Sequence, residues 1–413
     1  MFSKPETPVR TSTYRLSMAS VLILAAGFFT LFINGSGRLA VGLTLRPMVE
    51  DMNWTRADIG GAVALFQVAS AVAMFFVGTL ADRMSLRLLI GGGIAVCALG
   101  IGLMGYVTEP WHVLVLFGLI YGIGNGGCST ITVGVMVSRA FPGRTGFANG
   151  FVISGMSLGQ VLMVALLAAM LVQIGWRSVY FWVAAAHVVV LPFIFFAVPP
   201  MPAAGTPAAA VVREGMTIGE AVRTRRFWVL LGIFAVCGLD DFFVTTHLVA
   251  FAQDSGVDQL FAGNLLALMG VTALIGVLLA GAYGDRTGPA WPTAVSFILR
   301  IACFGLVLVE NSTASIAIFT LVFGLTFLVT APLTVLFVRD AFGTKNLGGI
   351  SGLITMVHHS FGGLGAYIGA RIFDSSGSYA IAFAIMLASS VIALILTLMY
   401  RGRPKESPSF SLR

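Results

Sequence analysis

Charge is what this chain has least of. Only 10% of its 413 residues are Asp, Glu, Lys or Arg, where ordinary soluble domains carry about 25%. With 58% hydrophobic residues and a mean hydropathy of +0.96, its side chains cannot all hide in one water-bounded core. Cysteine is sparse too. Cys97, Cys128, Cys237 and Cys303 all fall inside apolar runs without CxxC spacing. That pattern argues against a disulfide framework or a metal knuckle, and reads as small buried hydrophobes. No Walker lysine follows glycine clusters such as Gly122-Ile123-Gly124, and no strand precedes them, so neither nucleotide nor any other cofactor is expected. No nucleophile–base pair points to an enzyme, and no cluster points to a metal. The net charge of +7 does not imply nucleic acid, because the basic residues sit in short loops and not on a stripe. No cleavable signal is expected: a polar tail leads straight into a long hydrophobic segment with no small-residue cleavage site.

What abounds is apolar runs of about 20 residues, the length of a membrane-spanning helix. In lipid every backbone polar group must be satisfied within a helix or a closed barrel. Barrel strands would be about half as long and alternating. The fold class expected is therefore an all-α membrane protein of twelve transmembrane helices. The hydropathy places them at 18–46, 58–80, 88–107, 112–138, 147–174, 178–198, 227–253, 260–283, 289–309, 314–338, 347–372 and 377–400. The domains follow: a tail over 1–17, a six-helix bundle over 18–198, a linker over 199–226, a second bundle over 227–400 and a tail over 401–413. The linker is rich in Pro and Arg, with a short interfacial helix near Ile218–Val222. Arg83, Arg87, Arg139, Arg144, Arg223, Arg225, Arg226, Arg286, Arg339 and Lys345 lie on the side of the tails, against Arg46, Arg56, Arg177 and Arg371 opposite. That bias predicts cytoplasmic termini in a cytoplasmic (inner) membrane.

The two halves repeat. Gly35-Ser36-Gly37-Arg38 echoes at Gly238-Leu239-Asp240-Asp241, and Gly78-x3-Asp82-Arg83 at Gly281-x3-Asp285-Arg286, both with an offset of 203. Phe117-Gly118-Leu119 recurs at Phe323-Gly324-Leu325, Arg139-Ala140-Phe141 as Arg339-Asp340-Ala341-Phe342, and Gly150 at Gly352. An ordered series at nearly constant offset predicts two pseudo-symmetric bundles with a site between them near mid-membrane.

The stretch Gly78-x-Leu80-Ala81-Asp82-Arg83-x3-Arg87 resembles the signature loop of the major facilitator superfamily. That resemblance covers essentially the whole chain and implies the superfamily's fold and alternating access. A narrower similarity is to the monocarboxylate porters and the bacterial oxalate/formate exchangers. It rests on Arg38-x3-Gly42-x4-Pro47-Met48 with Trp54-Thr55-Arg56, on Gly150-x4-Gly155-x3-Gly159-Gln160 with Gly175-Trp176-Arg177, and on Gly352–Val357 with Phe373-Asp374-x2-Gly377-Ser378-Tyr379. The resemblance implies a basic residue in the first helix, where Arg38 stands. It also implies an Asp-x3-Arg pair in the eighth, where this chain has Ala273 and Val277.

Charge inside a span is costly and reads as functional by default. Arg38 either snorkels to the interface or lines the cavity as a fork for a carboxylate. Gly35, Gly37 and Gly42 admit a bend, a ligand, or close helix packing. Asp240 and Asp241 either neutralise Arg38 as a lock or carry a proton, since a desolvated carboxylate has a raised affinity for one. His247 is a satisfied structural donor, a cargo contact or a pH sensor. Of His358 and His359, one is expected to face the cavity. Arg300 reads as a buried structural partner ahead of a cargo contact. Tyr121, Asn125 and Gln160 orient a carboxylate or bond to neighbouring helices, with Thr326 and Thr330 weaker candidates. Asp82, Arg83, Asp285 and Arg286 are expected at a cytoplasmic gate, as a latch between two states. The expectation is a monomeric secondary transporter of a small organic anion, with Arg38, Tyr121, Asn125, His247 and His359 binding cargo. Asp240 or Asp241 would carry the proton. A proton-driven exporter and a proton-free anion exchanger are the alternatives.

Overall fold

The structure, a computed structural model, describes residues 17–54, 56–200 and 214–400. The side chains at 36, 38, 39, 46, 56–58, 164, 165, 168, 172, 259, 260, 263 and 266 are not described. The expected tails, Ser17 apart, and the Pro-rich start of the linker lie outside these residues.

The described residues fold as helices α1 (Met18–Met52), α2 (Arg56–Ala81), α3 (Leu86–Leu103), α4 (Pro110–Val113), α5 (Gly122–Gly127), α6 (Thr130–Ala140), α7 (Thr145–Ala197) and α8 (Ile218–Ala221). The second part of the chain adds α9 (Arg225–Asp254), α10 (Gln259–Thr287), α11 (Ala290–Val309), α12 (Thr313–Phe327), α13 (Thr330–Phe342), α14 (Leu347–Ser376) and α15 (Ala380–Tyr400). These elements join into twelve rods. α4, a π-helical stretch over Leu114–Tyr121, α5 and α6 make the fourth rod, and α12 with α13 the tenth. Among the described residues, ten stretches are long and apolar enough to cross a bilayer. The first part of α7 and α14 are outside that set; along α14, seven glycines and the pair His358–His359 dilute the hydropathy.

Local chemistry sets the ends. Ser17, Thr224 and Ser312 accept backbone amides as N-caps of α1, α9 and α12. Asn53 (φ 54°) and Gly377 (φ 67°) stop α1 and α14 in the left-handed conformation. The fifth and sixth rods form one long helix, α7, broken at Gly175 (φ 74°, ψ 167°). Only glycine reaches that backbone region routinely. The fourth and tenth rods break at matching places, Cys128–Ser129 and Leu328–Val329.

Glycines set the packing. α1 meets α7 where Gly155 and Gly159 face the carbonyls of Phe28 and Phe32. α9 meets α14 where a methyl on Gly238 would overlap the His358 carbonyl, and one on Gly365 the Leu239 carbonyl. Two seams join the first six rods to the last six. Gly78 faces Gly348 and Gly352 between α2 and α14, and Gly281 faces Gly146 between α10 and α7. Small residues let helix backbones approach closely enough for dispersion to hold them in lipid.

Candidate functional site

Two arrangements concentrate the polar chemistry. The first is a buried charge cluster among α9, α11 and α14–α15. Asp240 and Asp241 are adjacent on α9, so their side chains diverge by about 100°. Arg300 of α11 stands between them and reaches both. Its Nη2 donates to Asp241 Oδ1 at 2.6 Å, and its Nη1 lies 3.7 Å from Asp240 Oδ2. Nε and Nη2 also donate to the hydroxyl and carbonyl of Thr326, both at 3.1 Å. The guanidinium carbon lies 4.9 Å from the centre of the Phe323 ring, close enough for cation–π attraction. Arg300 and Asp240 are fully buried, and Asp241 is 3% exposed.

Each acid has further donors. Ser389 and Ser390 of α15 donate to Asp240 at 3.0 and 2.7 Å. The Cys237 thiol lies 3.4 Å from Asp241 Oδ2, one helical turn earlier on the same face. His358 Nδ1 donates to the Phe234 carbonyl at 3.1 Å, which leaves Nε2 pointing at Asp241 Oδ2, 3.9 Å away. Of the two acids offered as a lock on Arg38 or as a proton carrier, Asp241 has Arg300 as its close partner, and the Arg38 side chain lies outside the described residues. Ala273 and Val277, where the family resemblance implies a charged pair in the eighth helix, are buried and apolar. Here a charged pair joins the seventh and ninth rods.

The second arrangement is a pair of reciprocal clasps at one end of the molecule. Asp82, at the end of α2, accepts the amides of Gly348 and Gly349 at 3.0 and 2.9 Å, at the start of α14. Asp285, near the end of α10, accepts those of Gly146 and Phe147, both at 2.7 Å, at the start of α7. A carboxylate there meets unsatisfied amides and the positive end of the helix dipole. Each acid thus caps a helix from the other group of six rods. Arg83 and Arg286, expected in the latch, are exposed. The arginines that join the clasps are Arg139, which donates to the Ala81 carbonyl at 2.7 Å, and Arg339, which donates to Thr145 Oγ1 at 2.6 Å and to the Pro142 carbonyl at 3.1 Å. Arg139 also lies 3.8 Å from Asp82. The recurrence of Arg139 at Arg339 carried that signal.

The remaining candidates are engaged in packing. Asn125 donates to Asn34 at 2.8 Å and accepts from Ser70 at 2.7 Å, so it ties the first, second and fourth rods together. His247, expected at the cargo, has both ring nitrogens engaged, Nδ1 with the Tyr379 hydroxyl at 3.2 Å and Nε2 with the Ala366 carbonyl at 2.9 Å. His359 Nδ1 donates to the Thr355 carbonyl one turn back at 3.0 Å. Tyr121 is fully buried against Phe66 and Phe117, with its hydroxyl over Gly37. Gln160 is half-buried on α7. Gly35 packs on Met156, whereas nothing among the described residues lies within 4 Å of a methyl placed on Gly42. One residue was missed altogether. His187 of α7 is fully buried, donates Nδ1 to the Val183 carbonyl at 2.8 Å, and meets the Tyr121 ring edge-on. A lone histidine in an apolar run carried no spacing signal.

Known proteins share this architecture. The family model of the Major Facilitator Superfamily matches residues 27–244 and 230–412. The uncharacterized MFS-type transporter YcxA of Bacillus subtilis (strain 168) is 26% identical over 372 residues, covering 84% of this chain and 88% of that one. Monocarboxylate transporter 13 of Bos taurus is 28% identical over 318 residues, covering 74% of this chain and 72% of that one. The crystal structure of FucP, a Major Facilitator Superfamily transporter in the outward conformation, has a TM-score of 0.72 at 15% identity, covering 92% of this chain and 99% of that one. At that identity the likeness is one of fold.

Proposed function

The chain belongs to the Major Facilitator Superfamily, and from that premise we propose that it carries a small organic anion, a monocarboxylate, together with a proton. The protein is a secondary transporter of a small molecule and not an enzyme. The observation that carries the proton reading is the cluster on α9 and α11. Two carboxylates share one guanidinium, so the cluster holds one uncompensated negative charge inside the hydrocarbon zone. Burial disfavours that charge, and a proton removes it. With the proton bound, the cluster is neutral. A carboxylate cargo held by Arg38 makes the whole load neutral as well, and the clasps at the other end release for the crossing. A relative with monocarboxylate in its name supports the cargo class, as does a cation about two-fifths of the way from the C-terminal end of α1.

In this reading the clasps and both termini face the cytoplasm, the membrane is the inner one and the protein works as a monomer. The basic loops support that orientation. The reading is tested by counterflow of labelled lactate, formate and oxalate in proteoliposomes, with and without a pH gradient. Uptake of one of them should rise with an inward proton gradient, and Arg38→Ala should abolish it. Uptake indifferent to the gradient leaves a proton-free exchanger. Uptake indifferent to Arg38→Ala removes the anion anchor.

A further inference from the structure

The charge cluster can take an occupant other than the proton of the transport reading, and the two exclude each other because each cancels the same negative charge. Cys237 and Asp241 are four residues apart on α9, so their side chains stack on one face. Gly238 lets α14 approach α9 so closely that His358 arrives at the same level. The Cys237 sulfur, an Asp241 oxygen and a His358 ring nitrogen all lie within 4.8 Å of one another. Ligand atoms about 2.0–2.3 Å from a tetrahedral zinc sit about 3.3–3.8 Å apart. Here the Cys237–Asp241 separation is 3.4 Å and the Asp241–His358 separation 3.9 Å.

The second shell is in place. His358 Nδ1 is fixed on the Phe234 carbonyl, which turns Nε2 inward, and Arg300 holds Asp241 Oδ1, which turns Oδ2 inward. Metal-bound histidines and carboxylates are oriented by such partners. The Thr330 hydroxyl lies 3.3 Å from the Cys237 sulfur. The charge also fits. Asp240, Asp241 and Arg300 sum to one negative charge, and a Cys237 thiolate makes it two. A divalent cation cancels both and releases the thiol proton to water. His358, the partly exposed member, gives the route in.

We propose that Cys237, Asp241 and His358 form a site for a thiophilic divalent cation of the zinc type, which pins α9 to α14. The site stands apart from the identity of the cargo.

Cobalt(II), a spectroscopic stand-in for zinc, is titrated alone into the purified full-length protein in nanodiscs. The expected result is one equivalent bound, with a thiolate-to-cobalt charge-transfer band that zinc abolishes. Cys237→Ser loses the band, Cys97→Ser and Cys303→Ser keep it, and His358→Ala weakens binding at least about tenfold. His358→Ala carries the test if Cys237→Ser does not fold. A wild-type protein without the band overturns the proposal. So does a band that survives Cys237→Ser, disappears in Cys303→Ser, or is held with unchanged affinity by His358→Ala.

Discussion

Replacing Asp82 with Asn strikes one clasp and leaves its shape. One oxygen that accepts an amide becomes an NH2 facing another donor, so one of two bonds at 3.0 and 2.9 Å is lost. The anion's attraction to the start of α14 goes with it. A hydrogen bond to a charged group contributes about 1.5–3 kcal/mol, and a charge at a helix end about 0.3–1 kcal/mol. Together about 2–4 kcal/mol is removed. All of it comes from the clasped state, because Asp82 and Gly348 belong to different groups of rods. At about 1.4 kcal/mol per tenfold, the clasped-to-open ratio falls by about 30- to 700-fold. Asp285→Asn loses bonds of similar length from a half-buried site, where water screens the charge, so its shift is smaller. Spin labels at the exposed Met84 and Lys345 report the separation by electron–electron double resonance. The short distance of the wild type should give way to a longer one in Asp82→Asn, and further in the double variant. Distance distributions unchanged in both single variants and in the double would refute the clasp as the element that holds this end shut.

Asp241→Asn leaves Asp240 and Arg300 as a neutral pair but weakens the 2.6 Å bond from Arg300, and a hydrogen bond between charged groups contributes about 1.5–3 kcal/mol. Thermal unfolding should show a small fall in Tm, and a larger one in Arg300→Met, which leaves both buried acids without their cation and costs about 3–5 kcal/mol. Gly238→Ala forces a methyl into the His358 carbonyl, and such overpacking costs about 1–3 kcal/mol. Gly42→Ala meets nothing among the described residues and should not lower Tm, since alanine favours the helix. At the end opposite the clasps, hydrogen bonds from Arg177 and Trp176 hold the Asp51 carboxyl below its ordinary range. A depressed folded value means that its contribution is complete above the unfolded value of about 3.9, and is lost as pH falls through the folded one. Trp176 fluorescence should change over that acid range and stay flat in Asp51→Asn.

The clasp acids were legible in the sequence because Gly-x3-Asp-Arg recurs at a fixed offset, and a repeat marks what both halves need. Their arginines were misread. Arg83 and Arg286 stand next to the acids in sequence but point to solvent, whereas Arg139 and Arg339 reach in from other helices. The helices themselves were readable from hydropathy. The two spans expected over 147–174 and 178–198 are the two rods of α7, which meet at Gly175. The Asp241–Arg300 pair was hidden for a different reason. Its members are 59 residues apart on separate helices, with no spacing rule between them. Side chains of neighbouring acids diverge by about 100°, yet a guanidinium set between them reaches both. His247 and Asn125 looked like cargo contacts because a polar group at membrane depth shows its need for a bond, and not where the bond goes.

Gly175 has a mechanical consequence. A single residue links the fifth rod, which lies on the seam against α10, to the sixth, which packs on its own neighbours. A loop there would have given slack. A one-residue joint does not, so the fifth rod cannot slide along the seam while the sixth stays still. Any stroke at the seam drags its whole side of the molecule with it.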